Sequence, residues 1–178
     1  MVSFNTYLRR LLVFVLRRHV DVEQMGRSLL AEYGERVAKL LLKPWPVEVK
    51  FKEVEDTVDI AVTVGDTVLL NRLYFNLHPD DKGAIVHEIV HAVQRAPKYE
   101  GEFVWMIEGV ADFIRHKTTG LVLEPGDPRQ GYRKAARFFA WLYRDYPTVY
   151  RRIVGNVNDG MLPADLDVLV KVYREEMR

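Results

Sequence analysis

The segment from Ala84 to Gln94 contains the pattern His-Glu-x-x-His, with His87, Glu88 and His91 as its polar members. Because an α-helix turns about 100° per residue, two histidines four positions apart lie on one face, one turn apart in height. Both imidazoles can then reach a single zinc ion at about 2.0–2.1 Å. The flanking positions are apolar, and buried histidine and glutamate side chains are costly unless they are paired or bound to metal. We therefore predict that the two histidines bind zinc and that Glu88 is the catalytic base.

A second pair of acidic residues supplies a candidate for the third metal ligand. A catalytic zinc site uses three protein ligands and keeps one position open. Glu108 and Asp112 are four positions apart in an otherwise apolar segment, so they share one face of a predicted helix. We predict that Glu108 is the third ligand and that Asp112 accepts the spare ring N–H of a ligand histidine, which fixes its tautomer. The alternative is that both carboxylates belong to the solvated stripe of an amphipathic helix.

Composition limits the classes of protein that remain. The chain has 178 residues, of which 48% are hydrophobic and 29% are charged, and its formal net charge is +1. This size predicts one domain, and the near-neutral charge gives no reason to expect a nucleic acid as partner. The sequence contains no cysteine, so disulfides and thiolate ligands are excluded and a transition metal must use His, Asp or Glu.

The N-terminal segment, residues 1–20, has a basic and apolar composition. It contains no acidic residue, and a six-residue apolar run lies between two arginine pairs, Arg9, Arg10, Arg17 and Arg18. Six residues are too few for a secretory signal or a transmembrane span. We therefore expect a cytoplasmic protein in which this segment packs on the domain. Contact of a basic amphipathic helix with an anionic membrane surface is the alternative.

Hydrophobic periodicity predicts an α+β fold with a single domain in three parts. Residues 1–45 form an N-terminal helical segment, with a helix from Asp21 to Lys43, and residues 46–77 form a small antiparallel sheet. We expect the last strand of that sheet at Arg72–Leu77, after a hairpin whose turn is Gly65-Asp66. Residues 78–178 form a mostly helical half that carries the His-Glu-x-x-His helix. The sheet therefore precedes the helices that hold the chemistry.

Three blocks of sequence resemble the basic secretory protein family, described as plant peptidases and their microbial relatives. They are His87–Gln94, Trp105–Arg115 and Gly131–Trp141, in the order found in that family. The second block is also similar to the Trp-x-x-Glu-Gly-x-Ala segment of gluzincin aminopeptidases, in which the glutamate is the third zinc ligand and corresponds to Glu108. The resemblance implies a zincin-like fold and a zinc-dependent peptidase activity, and it covers about half of the chain.

The resemblance also implies two catalytic candidates beyond the metal ligands. In such a peptidase, Tyr132 or Arg137 would stabilise the oxyanion that forms when a peptide carbonyl is attacked. The expected partner is a peptide or protein substrate, which we predict to pair with the sheet edge at Arg72–Leu77. The alternative function is a catalytically silent zinc-binding protein that uses the cleft to bind a peptide or a partner.

Overall fold

The computed structural model describes residues 20–55 and 59–177. The helices are α1 (Val22–Leu41), α2 (Arg72–Leu77), α3 (Lys82–Gln94), α4 (Glu102–Thr119), α5 (Tyr132–Asp145), α6 (Pro147–Asn158) and α7 (Leu166–Glu176). The strands are β1 (Lys50–Val54), β2 (Ala61–Val64) and β3 (Thr67–Asn71), and a short 3₁₀ helix covers Pro128–Gln130. The fold is α+β, as predicted.

The sheet is mixed, so the prediction of a purely antiparallel sheet is wrong. Its strand order is β1-β3-β2, with β3 parallel to β1 and antiparallel to β2. The predicted hairpin is present, because Gly65 adopts a φ of 63° and Val64 pairs with Thr67 across the turn. However, β3 then lies between the other two strands and meets β1 in parallel. Strand β2 is therefore at one edge of the described sheet.

Residues Arg72–Leu77 form helix α2, so the prediction that the last strand of the sheet lies there is also wrong. The Asn71 side chain caps this helix by accepting a hydrogen bond from the backbone N–H of Tyr74 at 3.1 Å. Phe75 and Asn76 are buried, so they anchor this short helix on the core. The hydrophobic period of a six-residue segment of mixed polarity does not distinguish a strand from a helix. Here the Asn71 cap favours the helix.

Helix α3 carries the His-Glu-x-x-His motif through the interior of the molecule. It begins after Asp81, whose side chain accepts a hydrogen bond from the N–H of Ala84 at 3.2 Å, and it ends at Arg95 in the left-handed region. Its apolar residues, among them Ile85 and Val90, are fully buried. The helix packs against α1 and the sheet as well as against α4. Its polar residues are therefore held on a rigid support.

Helices α4 and α5 pack closely because a glycine lies at their contact. A Cβ atom added to Gly109 would lie only 2.5 Å from the Cβ of Ala135 and 3.0 Å from the ring of Phe139. The aromatic rings of Trp105 and Phe138 continue this contact, with ring centroids 5.8 Å apart in an edge-to-face arrangement. This packing fixes the position of α4, which carries both predicted acidic site residues.

Helix α1 matches its predicted start and end closely. Asp21 caps it by accepting a hydrogen bond from the N–H of Gln24 at 2.8 Å, and Leu42 ends it with a φ of 58°. The predictions for the basic segment before it concern residues 1–19, which lie outside the described residues. Within residues 20–55 and 59–177, no helix combines the length and the apolar character that crossing a bilayer requires.

Candidate metal centre

The two histidines of the motif face the same point. Their Nε2 atoms lie 3.0 Å apart, and their ring centroids lie 4.7 Å apart with the rings nearly perpendicular. His87 is buried, and His91 is partly buried at the edge of a cavity. Helix α3 thus presents two imidazole nitrogens side by side, as the spacing of four residues predicts.

Glu108 of α4 brings a carboxylate to the same point. Its Oε2 lies 3.0 Å from Nε2 of His87, and its Oε1 lies 3.5 Å from Nε2 of His91. Ligand atoms about 2.0–2.1 Å from a tetrahedral zinc ion are separated by about 3.3–3.4 Å. The two nitrogens lie 3.0 Å apart, and each has a different oxygen of Glu108 at 3.0–3.5 Å, which is close to that spacing. The three side chains therefore fit around one small cation.

Asp112 fixes the orientation of the His87 ring. Nδ1 of His87 lies 2.8 Å from Oδ1 of Asp112, and both side chains are buried. A carboxylate only accepts hydrogen bonds, so Nδ1 carries the proton in this contact. The lone pair of a neutral His87 then lies on Nε2, which points at Glu108 and His91. Arg115 stands behind this contact, 4.0 Å from Asp112 and 3.2 Å from Asp81, the residue that caps α3.

The pKa values of His87, His91 and Glu108 show that the cluster favours a positive charge. Burial works to lower the pKa of His87, but its hydrogen bonds to Asp112 and Glu108 outweigh burial and raise that pKa to about 9. Burial, together with the neighbouring charge of His87, lowers the pKa of His91 to about 4. Burial works to raise the pKa of Glu108, yet its hydrogen bond to His87 and its attraction to both histidines lower it. The cluster thus stabilises positive charge where its donor atoms converge, and a divalent cation can supply that charge in place of the proton on His87.

Glu88 lies beside the histidines but forms a different contact. His87, Glu88 and His91 each offer a ligand atom, and these atoms all lie within 4.8 Å of one another. One oxygen of Glu88, Oε2, accepts a hydrogen bond of 2.8 Å from the hydroxyl of Thr63 in β2. Burial raises the pKa of the Glu88 carboxyl. Glu108 contacts the Nε2 atoms of both histidines, whereas Glu88 accepts a hydrogen bond from Thr63 in β2. The two glutamates therefore occupy different positions around the cluster.

Tyr99 is a site residue that the sequence analysis missed. It lies in the loop between α3 and α4, and its hydroxyl donates a hydrogen bond of 2.5 Å to Oε1 of Glu108. Burial and this hydrogen bond raise the pKa of the Tyr99 hydroxyl. The bond occupies one oxygen of Glu108 and leaves Oε2 directed at His87. No motif signals this role, since a loop tyrosine has no fixed spacing from a helix residue it contacts.

Tyr132 lines the two cavities beside the cluster. It lines the same cavity as Glu108 and His91, and its side chain is exposed to that cavity. The negative charge of Glu108, followed by burial, raises the pKa of its hydroxyl. Tyr132 also adopts a φ of 46°, a left-handed conformation that is strained for a bulky residue. The backbone at the start of α5 therefore holds this ring at a position that a relaxed chain would not favour.

Arg137 lies elsewhere, so the structure separates it from the other predicted site residues. It lines a cavity with Phe113, Trp141 and Tyr143, and neither of the two cavities around the histidines includes it. The physical reason is helical geometry, because five residues after Tyr132 correspond to a rotation of about 140° around α5. The expectation that Arg137 faces the metal is therefore wrong.

Two cavities meet at the cluster and form a cleft across it. One has a volume of about 750 Å³ and is bordered by β2, the loop of Tyr99 and Ile107. The other has a volume of about 660 Å³ and is bordered by Arg115, Glu124 and the start of α5. His87 and Glu88 line both cavities. A long ligand can thus extend to either side of the donor atoms.

Comparison with known proteins gives one match. The model of the BSP family, described as peptidase of plants and bacteria, matches residues 28–168. The match is longer than the half of the chain that the resemblance covers, and it includes part of α1. Searches of the curated proteins and of the solved structures found no match.

Proposed function

The chain belongs to the BSP family, the peptidases of plants and bacteria, and we propose that it is a zinc-dependent peptidase that uses Glu88 as its general base. The observation that carries this proposal is the convergence of His87, His91 and Glu108. The two Nε2 atoms lie 3.0 Å apart, Oε2 of Glu108 lies 3.0 Å from Nε2 of His87, and Oε1 of Glu108 lies 3.5 Å from Nε2 of His91. Two imidazoles and one carboxylate are a ligand set that zinc uses in catalytic sites with an open fourth position.

In this proposal the chain's own residues prepare the three ligands before the metal binds. Asp112 keeps the proton of His87 on Nδ1, so the lone pair on Nε2 is available. Tyr99 donates a hydrogen bond to Oε1 of Glu108 and so holds this carboxylate with Oε2 beside His87. When bound, a zinc ion lowers the pKa of a water molecule toward about 7 and polarises the substrate carbonyl.

Glu88 transfers the proton in the proposed reaction. It adjoins the first ligand on α3 and lines both halves of the cleft. Its carboxylate accepts a proton from the attacking water, and the same proton is then passed to the nitrogen of the leaving amine. Burial favours the protonated form of this carboxyl, which suits a base that must hold a proton between the two steps.

Tyr132 is the proposed donor to the oxyanion. Its hydroxyl is available in the cleft, and the cavity it lines also contains Glu88 and His91. A hydroxyl that donates a hydrogen bond to the developing negative charge lowers the barrier most when it is held in place beforehand. The left-handed backbone of Tyr132 sets the direction in which its side chain leaves the main chain. Arg137 has no part in this proposal because it lies outside the cleft.

The substrate of the proposed reaction is an extended peptide that pairs with strand β2. Within the described residues, β2 forms its ladder with β3 alone, so its other edge offers backbone hydrogen-bonding groups. Ala61, Val62 and Thr63 of this strand line the cavity that contains His91 and Tyr132. A peptide added to this edge would pass beside the metal ligands. This edge replaces Arg72–Leu77, where the predicted strand is a helix.

The test compares the wild type with the Glu88→Gln variant, which keeps the size and shape of the side chain but cannot take a proton. We expect both proteins to bind zinc and only the wild type to cleave a mixture of internally quenched peptides. A wild type that binds zinc and cleaves no peptide in such a mixture would favour the silent metal-binding alternative. Cleavage by Glu88→Gln at the wild-type rate would exclude Glu88 as the base.

A further inference from the structure

The hydroxyl of Thr63 links the edge strand of the sheet to the helix that carries the proposed base. Thr63 lies in the middle of β2, paired with Val68 of β3. Its Oγ1 is 2.8 Å from Oε2 of Glu88 and 2.9 Å from the backbone carbonyl oxygen of the same residue. The threonine and the glutamate are 25 positions apart in sequence, so this contact exists only because β2 packs against α3.

A single hydroxyl hydrogen must serve two acceptors in this contact. The carbonyl oxygen of Glu88 lies inside α3, where the N–H four residues later is its regular partner. The carboxylate is charged, and hydrogen bonds to a charged acceptor are roughly twice as strong as those between neutral groups. The hydroxyl hydrogen therefore goes mainly to Oε2 of Glu88, and the carbonyl contact keeps the hydroxyl against the helix.

We propose that Thr63 is a positioning residue that fixes the Glu88 carboxylate and leaves its Oε1 atom to act as the base. This inference rests on the proposed function, since it concerns the residue that takes the proton there. A glutamate side chain has three rotatable bonds, and a fixed strand can hold its end in one place. A misplacement of about 1 Å in such a group can cost about 10²-fold in rate. With Oε2 held at the Thr63 hydroxyl, Oε1 is the oxygen that the proposal assigns to take the proton from water.

The position of Thr63 also connects the base to the substrate. In the proposed docking, the peptide backbone pairs with the edge of β2 that faces away from β3, in the strand that holds Thr63. Thr63 would then set the distance between the bound peptide backbone and the Glu88 carboxylate. This arrangement makes Thr63 important for turnover rather than for metal binding, because its hydroxyl contacts Glu88 and none of the three proposed metal ligands.

The test uses Thr63→Val, which keeps the β-branched shape and removes the hydroxyl, and Thr63→Ser, which restores the hydroxyl. Thr67→Val is the matched control, because the Thr67 hydroxyl lies on the neighbouring strand and bonds Asp66. We expect Thr63→Val to lower kcat about 10–100-fold with KM, zinc content and Tm unchanged. Thr63→Ser should recover kcat to within a few-fold of the wild type, and Thr67→Val should behave as the wild type.

Three results would overturn the positioning role. They are an unchanged kcat in Thr63→Val, a loss of zinc or folding that accounts for its lower rate, and a Thr63→Ser variant as slow as Thr63→Val. Crystal structures of the wild type and Thr63→Val give a second measurement that does not depend on turnover. The Glu88 carboxylate should occupy one position in the wild type and several in the variant, whereas one shared position would contradict the proposal. If the wild type cleaves no peptide, the proposed function fails, and these structures still decide the role of Thr63.

Discussion

Nδ1 of His87 lies 2.8 Å from Oδ1 of Asp112, and both side chains are buried between helices α3 and α4. This contact leaves Nε2 of His87 to face the two other donor groups of the cluster. Removing the carboxylate would free the ring to rotate and to change its tautomer. In the proposed function, metal affinity therefore depends on a residue that does not itself reach the metal position.

We expect Asp112→Ala to weaken zinc binding by about 10–100-fold, because the His87 ring loses its fixed orientation. Asp112→Asn, which keeps an oxygen acceptor, should weaken it less. Affinity can be measured by competition with a chromogenic chelator. Asp145→Ala is the control, since Asp145 pairs with Arg144 on the surface. Equal zinc affinity in the wild type and Asp112→Ala would contradict this role.

Tyr99→Phe should lower zinc affinity by about 10-fold, because Oε1 of Glu108 loses the hydrogen bond that holds the carboxylate. The same chelator competition measures the effect. Tyr146→Phe is a closely matched control, since the Tyr146 hydroxyl also donates to a glutamate, Glu176, at 2.9 Å and far from the cluster. If both variants bind zinc as the wild type does, Tyr99 does not support the third ligand.

Tyr132→Phe should lower kcat by about 10²–10³-fold while zinc content stays constant, because the oxyanion loses one hydrogen-bond donor. Steady-state cleavage of a quenched peptide measures the rate, and elemental analysis measures the zinc. Tyr143→Phe serves as the comparison, since Tyr143 packs on Phe113 outside the cleft. An unchanged kcat in Tyr132→Phe would remove this residue from the proposed mechanism.

Gly109→Ala should destabilise the fold by about 1–3 kcal/mol, because the added methyl group would overlap Ala135 and force α4 and α5 apart. Denaturant unfolding measures this change. Gly155→Ala provides the opposite case in α6, where an added Cβ meets nothing within 4 Å. That variant should gain about 0.5–1 kcal/mol from helix propensity. A Gly109→Ala protein as stable as the wild type would show that the two helices can separate without cost.

Most helices and the convergence of the motif's side chains could be predicted because their signals are local. The spacing of four residues puts His87 and His91 on one face, and the same spacing relates Glu108 to Asp112 on the next helix. Aspartate side chains cap the starts of α1 and α3, and glycines lie at both ends of α4. The assignment of these four side chains to one cluster needed only the assumption that the two helices pack face to face.

The features that sequence did not reveal depend on contacts between distant parts of the chain. Thr63 meets Glu88 across 25 positions, and Tyr99 meets Glu108 from a loop, so no periodic pattern records either contact. The sheet was predicted as antiparallel because the hairpin is local, whereas the parallel pairing of β1 with β3 is not. The position of Arg137 could have been predicted from the sequence. A rotation of about 140° around α5 separates it from Tyr132, so the two side chains cannot face the same site.

The most direct test of the metal centre is the zinc content of the purified protein after incubation with zinc and removal of the excess. We predict one zinc ion per chain in the wild type, and a loss of bound zinc in both His87→Ala and Glu108→Ala. Arg137→Ala, altered outside the cleft, should retain it. Circular dichroism would establish that each variant is folded. A wild type without zinc, or folded His87→Ala and Glu108→Ala proteins that bind zinc as tightly as the wild type, would contradict the account.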